Sequence, residues 1–467
     1  MVLEFVNRVA EIKALEDCLA EPKPGLIRVY GRRRLGKTEL LRRVVERRSG
    51  LYLLVEDADR PLVLASLAQQ VARATGGLAV PFRDWRTFYQ ALPGLGFPFV
   101  VLDEFQNIIA NDRQAVSQLQ GEWDTTLRKT GPSIILCGSS VGMMQRITSR
   151  RPGPLFGRLS ADLRLKPLSY GAVRLLYPRD SEEEKIRRFS VFGGTPFYHG
   201  HSVGRTLEQA VRRSFLDAPA PFQEEPQTLL RLELKAPVRY NSILYEIGQG
   251  THQLRELESK VGVKAGGLGP YLDLLKSDLD LVRMEDPVCG VKRTARYVFS
   301  DPFFSFYYRF VFANRPRLEL GRGAEVWQDI QAGLDAYVGL RFEAVATDLL
   351  TILNGRTWKG ISIGFDQIGR WWNRVGDEID IVAPGPKEVL VGEVKWSAKG
   401  VEPDLLETLL RKADRIERTD GRPVRPMVVT RGPISDAATT WLKEHHGMAF
   451  TLSDLTSAYQ GLFPASA

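Results

Sequence analysis

The chain has 467 residues, 43% hydrophobic and 26% charged, with a formal net charge of +8 and a pI near 9.3. That length exceeds one ordinary hydrophobic core and suggests about three domains, and the absence of any apolar run of about 18 residues argues against a membrane-spanning chain. The basic excess fits a polyanionic partner without identifying one.

Cys18, Cys137 and Cys289 lie far apart and form no C-x-x-C, as expected of isolated thiols in a reducing cytoplasm. The five histidines form no metal-spaced set, and Met1 to Phe5 runs directly into structured sequence rather than into a charged-then-apolar leader. A cytoplasmic protein with no membrane partner is expected.

Near the start, Leu26–Tyr30 reads as a short buried strand and Glu39–Arg48 as a helix. Between them Gly31-Arg-Arg-Arg-Leu-Gly36-Lys37-Thr38 fills every fixed position of the phosphate-binding loop pattern G-x-x-x-x-G-K-[ST]. A loop opening onto a helix N-terminus turns backbone N–H groups toward phosphate oxygens. Gly31, Arg32, Arg33, Arg34, Leu35, Gly36, Lys37, Thr38 and Glu39 are therefore the candidate ATP-binding set, Lys37 reaching the β- and γ-phosphates and Thr38 sitting on Mg²⁺.

Phe99-Val-Val-Leu-Asp103-Glu104 is an apolar run ending in two carboxylates, the pattern of a buried parallel strand with acids at its C-terminal tip. Asp103 is the candidate for the Mg²⁺ shell and Glu104 for orienting or deprotonating the attacking water. Leu51–Val55, Ser133–Ser139 and Leu163–Pro167 read as further strands. A strand between the lysine and aspartate motifs, with the glutamate adjacent, points to the additional-strand class of P-loop ATPases. Ser139 or Ser140 stands where that class senses the γ-phosphate, and an ordinary helix N-cap accounts for either serine equally well.

Phe5-Val-Asn-Arg8 with Glu11, the phosphate loop, Leu102-Asp-Glu-Phe-Gln106, Leu155-Phe-Gly-Arg158 and Gly193-Gly-Thr-Pro196 together resemble the archaeal-type ATPases of the STAND (signal transduction ATPases with numerous domains) branch of AAA-related proteins. Asp301-Pro-Phe-Phe-Ser-Phe-Tyr-Tyr-Arg309 and the C-terminal third resemble the domain commonly fused to them. The resemblance implies that Arg8 lies near the adenine and Pro196 near the base. It also implies that Arg158 contacts the γ-phosphate, in cis or as a finger to a neighbouring subunit of a homo-oligomer. By chemistry alone Arg158 is equally a surface arginine.

From Pro237 the pattern changes. Tyr240–Ile247, a helix capped by Thr251 and running through Val261, and Leu268–Leu279 read as three helices, followed by strands Leu281–Glu285 and Ala295–Phe299. Three helices and a hairpin describe a winged helix, used either to enter a DNA groove or to pack against the ATPase. Lys264, Lys276, Lys292, Arg293 and Arg296 are its candidate phosphate contacts.

In the last third, Glu343 lies on an apolar-spaced helix, Asp380 on one strand, and Glu393-Val-Lys395 on the next. Residues i and i+2 of a strand share a face, so Glu393 and Lys395 project together beside Asp380. The set resembles the PD-(D/E)xK nuclease core. Asp380, Glu393 and Glu343 would bind Mg²⁺ or Mn²⁺, and Lys395 would position or activate water or steady developing charge. Trp371, Trp372, Arg370 and Arg374 could stack on or clamp nucleic acid, or the tryptophans could simply be buried.

The expected fold is α/β and multidomain: a P-loop ATPase core with a parallel sheet at 1–170, a helical subdomain at 171–236 and a winged helix at 237–300. A linker helix region at 301–335 and an α/β restriction-endonuclease-like domain at 336–467 follow. Two functions of different kinds fit. One is an ATP-hydrolysing, DNA-associated enzyme with a metal-dependent nuclease domain; the other is an ATP-driven signalling switch whose C-terminal domain binds a partner without cleaving nucleic acid.

Overall fold

The computed structural model describes residues 5–148, 153–234, 236–290, 294–417 and 419–462. Two compact units emerge, one comprising Asn7–Pro167 with Asp273–Asp280 and the other holding the remaining described residues. No described helix is long and apolar enough to cross a membrane.

The first unit is built on five parallel strands: β1 (Leu26–Tyr30), β2 (Leu51–Leu54), β3 (Phe99–Asp103), β4 (Ser133–Gly138) and β5 (Ala161–Arg164). Their order is β2-β3-β4-β1-β5, so β4 lies between the strand that leads into the phosphate loop and the strand that ends in Asp103. The strands β1, β3 and β4 are buried throughout, which explains why they read as continuous apolar runs rather than alternating ones. Arg28, charged and central on β1, is accommodated because its guanidinium donates to both carboxylate oxygens of Asp162 on β5, at 2.8 and 2.5 Å, and to the Met144 carbonyl at 2.8 Å. The strand expected at Leu163–Pro167 begins two residues earlier, at Ala161, since its register follows Ile27↔Ala161 pairing with β1 rather than local hydrophobicity.

In the second unit, helices Pro237–Gly248 and Leu254–Val261 precede an antiparallel pair, β6 (Val282–Glu285) and β7 (Arg296–Phe299). Between them in sequence lies helix Gly269–Ser277, whose residues from Asp273 belong to the first unit. Thr251 does not cap the second helix. Gln253 holds the N-cap position without a side-chain bond, and Thr251 Oγ1 instead donates to Glu246 and accepts from Lys260. Further on, β8 (Arg356–Trp358) and β9 (Ile361–Ile363) form a small hairpin.

The C-terminal sheet contains β10 (Gly369–Trp372), β11 (Glu378–Pro384), β12 (Val389–Lys395), β13 (Val424–Thr430) and β14 (Met448–Thr451), adjacent in that order. β11 runs antiparallel to both of its neighbours, β10 and β12, and β12, β13 and β14 run parallel. The long helix Gly323–Leu353 packs on β11 and β12, with Phe342 edge-on to Trp396 at 5.0 Å. Leu409 and Ala413 of helix Pro403–Ala413 share an apolar core with Trp371, Ile379, Val389 and Val391.

One buried group, His199, is expected to make the second unit acid-sensitive. His199 Nε2–H donates to the Gly193 carbonyl at 2.8 Å, so Nδ1 accepts from the Tyr177 hydroxyl at 2.7 Å and the neutral ring satisfies both. Burial pushes its pKa from the ordinary 6.5 to about 4, with the Gly193 bond and Asp301 opposing and Arg188 assisting. Because the folded value lies below the unfolded one, the contribution is complete above about pH 6.5 and is lost as pH falls toward 4. It amounts to at most about 3 kcal/mol. Urea unfolding of the second unit at pH 7 and pH 5 should show a steeper loss in wild type than in His199→Gln; equal losses would contradict a role for this histidine.

Candidate functional site

The phosphate loop is shaped by close approach and by handedness. A Cβ at Gly31 would lie 2.4 Å from the Leu165 carbonyl oxygen, and Gly36 adopts φ +85°, so neither position admits another residue without strain. The helix Lys37–Arg48 starts directly after Gly36, which turns its free N–H groups toward the loop. Lys37 is buried, and Nζ donates to the carbonyls of Gly31 at 2.8 Å and Arg32 at 3.0 Å. Burial lowers its pKa, opposed by Cys137, Glu104 and Asp103. Leu35 is fully buried and Arg32 nearly so, Arg33 is exposed, Arg34 is half-buried with φ +72°, and Glu39 pairs with Arg43 at 3.0 Å along the helix.

The loop meets the β3 carboxylates directly. Thr38 Oγ1 donates to Asp103 Oδ2 at 2.8 Å, and the Tyr52 hydroxyl donates to the same oxygen at 2.5 Å. Glu104 adopts φ +57°, an uncommon conformation for a residue with a side chain, immediately after the strand ends. Its Oε2 accepts from Ser139 Oγ at 2.9 Å and from Gln106 Nε2, while Gln106 Oε1 accepts from the Ser139 backbone N–H at 3.0 Å. Ser139 thus spends its hydroxyl on Glu104. Tyr52 is a contribution to this site that residue patterns did not single out, because nothing local marks a partner 51 residues away. Gln106 belongs to the Leu102–Gln106 motif, which by itself assigns it no role there.

Arg8 is buried and ties the loop to the chain around it, donating to the Leu35 carbonyl at 3.3 Å and the Lys166 carbonyl at 2.9 Å, and pairing with Glu11 at 2.6 Å. Arg158 is held by Asp124, with guanidinium–carboxylate distances of 2.9, 3.1 and 2.6 Å. Pro196 begins the short helix Pro196–His199 in the second unit, where the preceding Thr195 hydroxyl donates to Asp301 at 2.7 Å.

The C-terminal residues converge as well. The antiparallel register pairing Ile381 with Gly392 sets Asp380 opposite Glu393, and Asp380 Oδ2 accepts from the Val394 N–H at 2.8 Å. Glu393 and Lys395 share a face and bond at 2.5 Å. Glu343, largely buried on the long helix, pairs with Arg370 at 3.2 Å, and Arg370 also bonds Glu378. Burial raises the Glu343 carboxyl to about 7, with Arg370 opposing and Asp380 adding to the rise. Burial and then Glu393 raise Asp380 to about 6. Lys412 stands 4.0 Å from Glu393. Among the described residues no group of three or more His, Cys, Asp or Glu side chains is arranged to hold a metal ion directly.

Among the candidate nucleic-acid contacts, Trp371 and Trp372 are buried, Trp371 in the sheet core and Trp372 donating Nε1–H to the Thr294 carbonyl at 2.8 Å, so they pack rather than offer an open stacking surface. Arg296 lies over the Trp372 ring at 4.3 Å and pairs with Glu378 at 3.0 Å rather than projecting from the hairpin. Lys276 pairs with Asp273, Lys264 is exposed, Arg374 is exposed, and Lys292 and Arg293 lie outside the described residues.

Residues 5–198 match a family described as an ATPase domain predominantly from Archaea, and residues 307–408 match one described as archaeal and bacterial proteins of unknown function. An uncharacterized protein of Methanocaldococcus jannaschii is 31% identical over 401 residues, 84% of this chain and 87% of that one. An uncharacterized ATP-binding protein of the same organism is 47% identical over 45 residues, 10% of this chain and 76% of that one. The Walker-type ATPase of Pyrococcus abyssi superposes with a TM-score of 0.51 at 19% identity, over 65% of this chain and 96% of that one, a likeness of fold. The chain therefore belongs to the same family as the first M. jannaschii protein, and within it an archaeal-type ATPase domain precedes the C-terminal domain matched at 307–408.

Proposed function

We propose that this ATPase hydrolyses ATP at the Gly31–Thr38 loop and that its C-terminal domain hydrolyses DNA phosphodiesters with Mg²⁺ or Mn²⁺. The division of the chain follows the same reading: ATPase core, helical subdomain, winged helix, linker helices and nuclease-like domain. In the ATPase, Lys37 takes the β- and γ-phosphates, Thr38 and Asp103 hold the Mg²⁺ shell, and Glu104 orients or deprotonates water. Their support is the direct Thr38–Asp103 bond and the placing of Glu104 at the strand tip. Ser139 and Gln106 act as positioning residues through Glu104. Ser139→Ala or Gln106→Ala should slow ATP turnover about tenfold with little change in nucleotide affinity. Steady-state rates equal to wild type in both variants would remove that role.

The observation that carries the nuclease half is the meeting of Asp380, Glu393 and Lys395 at one strand pair with Glu343 behind them. Asp380 and Glu393 suit a hard cation that keeps several waters, since such ions are commonly held by one or two carboxylates, and Glu343 contributes through water. The bound cation would supply an activated water and neutralise phosphate charge. Lys395 supplies positive charge to the developing phosphorane from the face it shares with Glu393. Incubating the protein with plasmid, linear and single-stranded DNA, with each metal and with or without ATP, tests this reading. Metal-dependent nicks or breaks are expected.

A second reading has one observation in its favour. Arg370, Lys395 and Lys412 already neutralise these carboxylates, as they would in a domain that only binds a partner in response to ATP. Uncut DNA under every condition would favour it.

A further inference from the structure

Beside the carboxylates lies a cavity of about 330 Å³, lined by His252 and Glu256 at the start of helix Leu254–Val261, Arg296 of β7, Arg341 of the long helix, Arg370 of β10 and Glu378 of β11. Three of its arginines face two glutamates, which leaves the lining with a positive excess. Arg296 and Arg370 both pair with Glu378. Arg341 differs. Its Nε is buried with no hydrogen-bond partner, it forms no ion pair among the described residues, and its guanidinium lies 5.7 Å from the Tyr337 ring centre. Arg341 as a whole is half-buried and its charge is felt by the Glu343 carboxyl, and a phosphate oxygen is a partner that its planar fork fits.

The field in the cavity agrees. Burial pushes the His252 pKa down, its bond to the Tyr297 carbonyl opposes, and Arg296, Arg341 and Arg370 each push it down further. At about 30 Å³ per water, the space corresponds to roughly ten waters, room for a phosphate with its adjoining sugar. Arg370 bonds to Glu343 as well as lining this space, so the cavity and the carboxylate cluster are contiguous.

We propose that this cavity is an anion site that takes a backbone phosphate of a nucleic-acid strand, with Arg341 as its principal donor. The inference rests on the nuclease reading only for what carries the phosphate; the pocket's affinity for a strand stands apart from cleavage. Arg341 is a contact of the sugar–phosphate backbone, so it strengthens binding without selecting sequence.

The test is fluorescence anisotropy of a labelled single-stranded oligonucleotide in EDTA, where no cleavage occurs, repeated across a salt series. Arg341→Ala should weaken binding about tenfold for any sequence and reduce the slope of log affinity against log salt by about 1. Arg341→Lys should recover part of the loss, and Arg341→Gln serves as the second variant if the alanine protein is not folded by circular dichroism. Oligonucleotide affinity and salt slope unchanged in the folded variants would overturn the proposal. So would Arg341-dependent binding of inorganic phosphate or ADP without Arg341-dependent binding of the oligonucleotide, which would make this a pocket for a free anion. Arg341-dependent strand binding by a protein that cuts nothing with Mg²⁺ or Mn²⁺ would support the pocket and remove the nuclease.

Discussion

Lys37→Ala is expected to abolish measurable nucleotide binding, whereas Glu104→Gln should bind nucleotide normally and turn it over on the order of 10²-fold more slowly or worse. The contrast follows from where the two side chains stand. Lys37 Nζ lies inside the loop, bonded to the Gly31 and Arg32 carbonyls, where a β- or γ-phosphate oxygen would take its charge. Removing it leaves a phosphate cradle of neutral N–H groups facing a multiply charged anion. Glu104 sits beyond the strand tip, where its carboxylate accepts from Ser139 and Gln106. Glutamine preserves the shape and the hydrogen-bond capacity on one oxygen while removing the base. Titration with a fluorescent ADP analogue and steady-state phosphate release separate the two effects. Equal ATPase rates in wild type and Glu104→Gln would refute the role given to that residue.

The parts of this architecture that could be read from the chain are those whose signal is local. The phosphate loop is set by fixed spacing between glycines and Lys37, and β3 by an apolar run that stops at Asp103. The shared face of Glu393 and Lys395 follows from the two-residue period of a strand, and their 2.5 Å bond agrees with it. What could not be read depends on partners distant in sequence. Nothing near Tyr52 announces Asp103, nothing near Arg158 announces Asp124, and the Gln106–Ser139–Glu104 network exists only once β3 and β4 are neighbours. Trp371 and Trp372 show the same limit from the other side. Adjacent aromatics beside arginines suit a stacking platform, yet tertiary packing buries both, and the Arg296 cation lies over one of them. Thr251 is a favourable capping residue by type, but Glu246 and Lys260 compete successfully for its hydroxyl.

At the C-terminal site, Asp380→Ala and Lys395→Ala are expected to abolish DNA cleavage by different routes. Asp380 faces Glu393 across β11 and β12, so its loss removes one of two carboxylates and should weaken Mn²⁺ binding about tenfold or more. Lys395 donates to Glu393 and supplies no ligand atom, so Lys395→Ala should bind Mn²⁺ at least as well as wild type while cleavage falls on the order of 10²-fold. Calorimetric titration of Mn²⁺ into each protein distinguishes them. A Lys395→Ala protein that loses metal binding as fully as Asp380→Ala would show that the lysine organises the site rather than acting on the phosphate.

The central claim is that two hydrolytic chemistries reside in separate parts of one chain, and it is tested most directly by following both in the same reaction. Wild type and Asp380→Ala are incubated with labelled DNA, ATP and Mg²⁺ or Mn²⁺, and strand cleavage and phosphate release from ATP are measured together. Wild type should cut the DNA and hydrolyse ATP, and Asp380→Ala should hydrolyse ATP alone. Equal cleavage by both proteins, or no cleavage by wild type with either metal, would contradict the account.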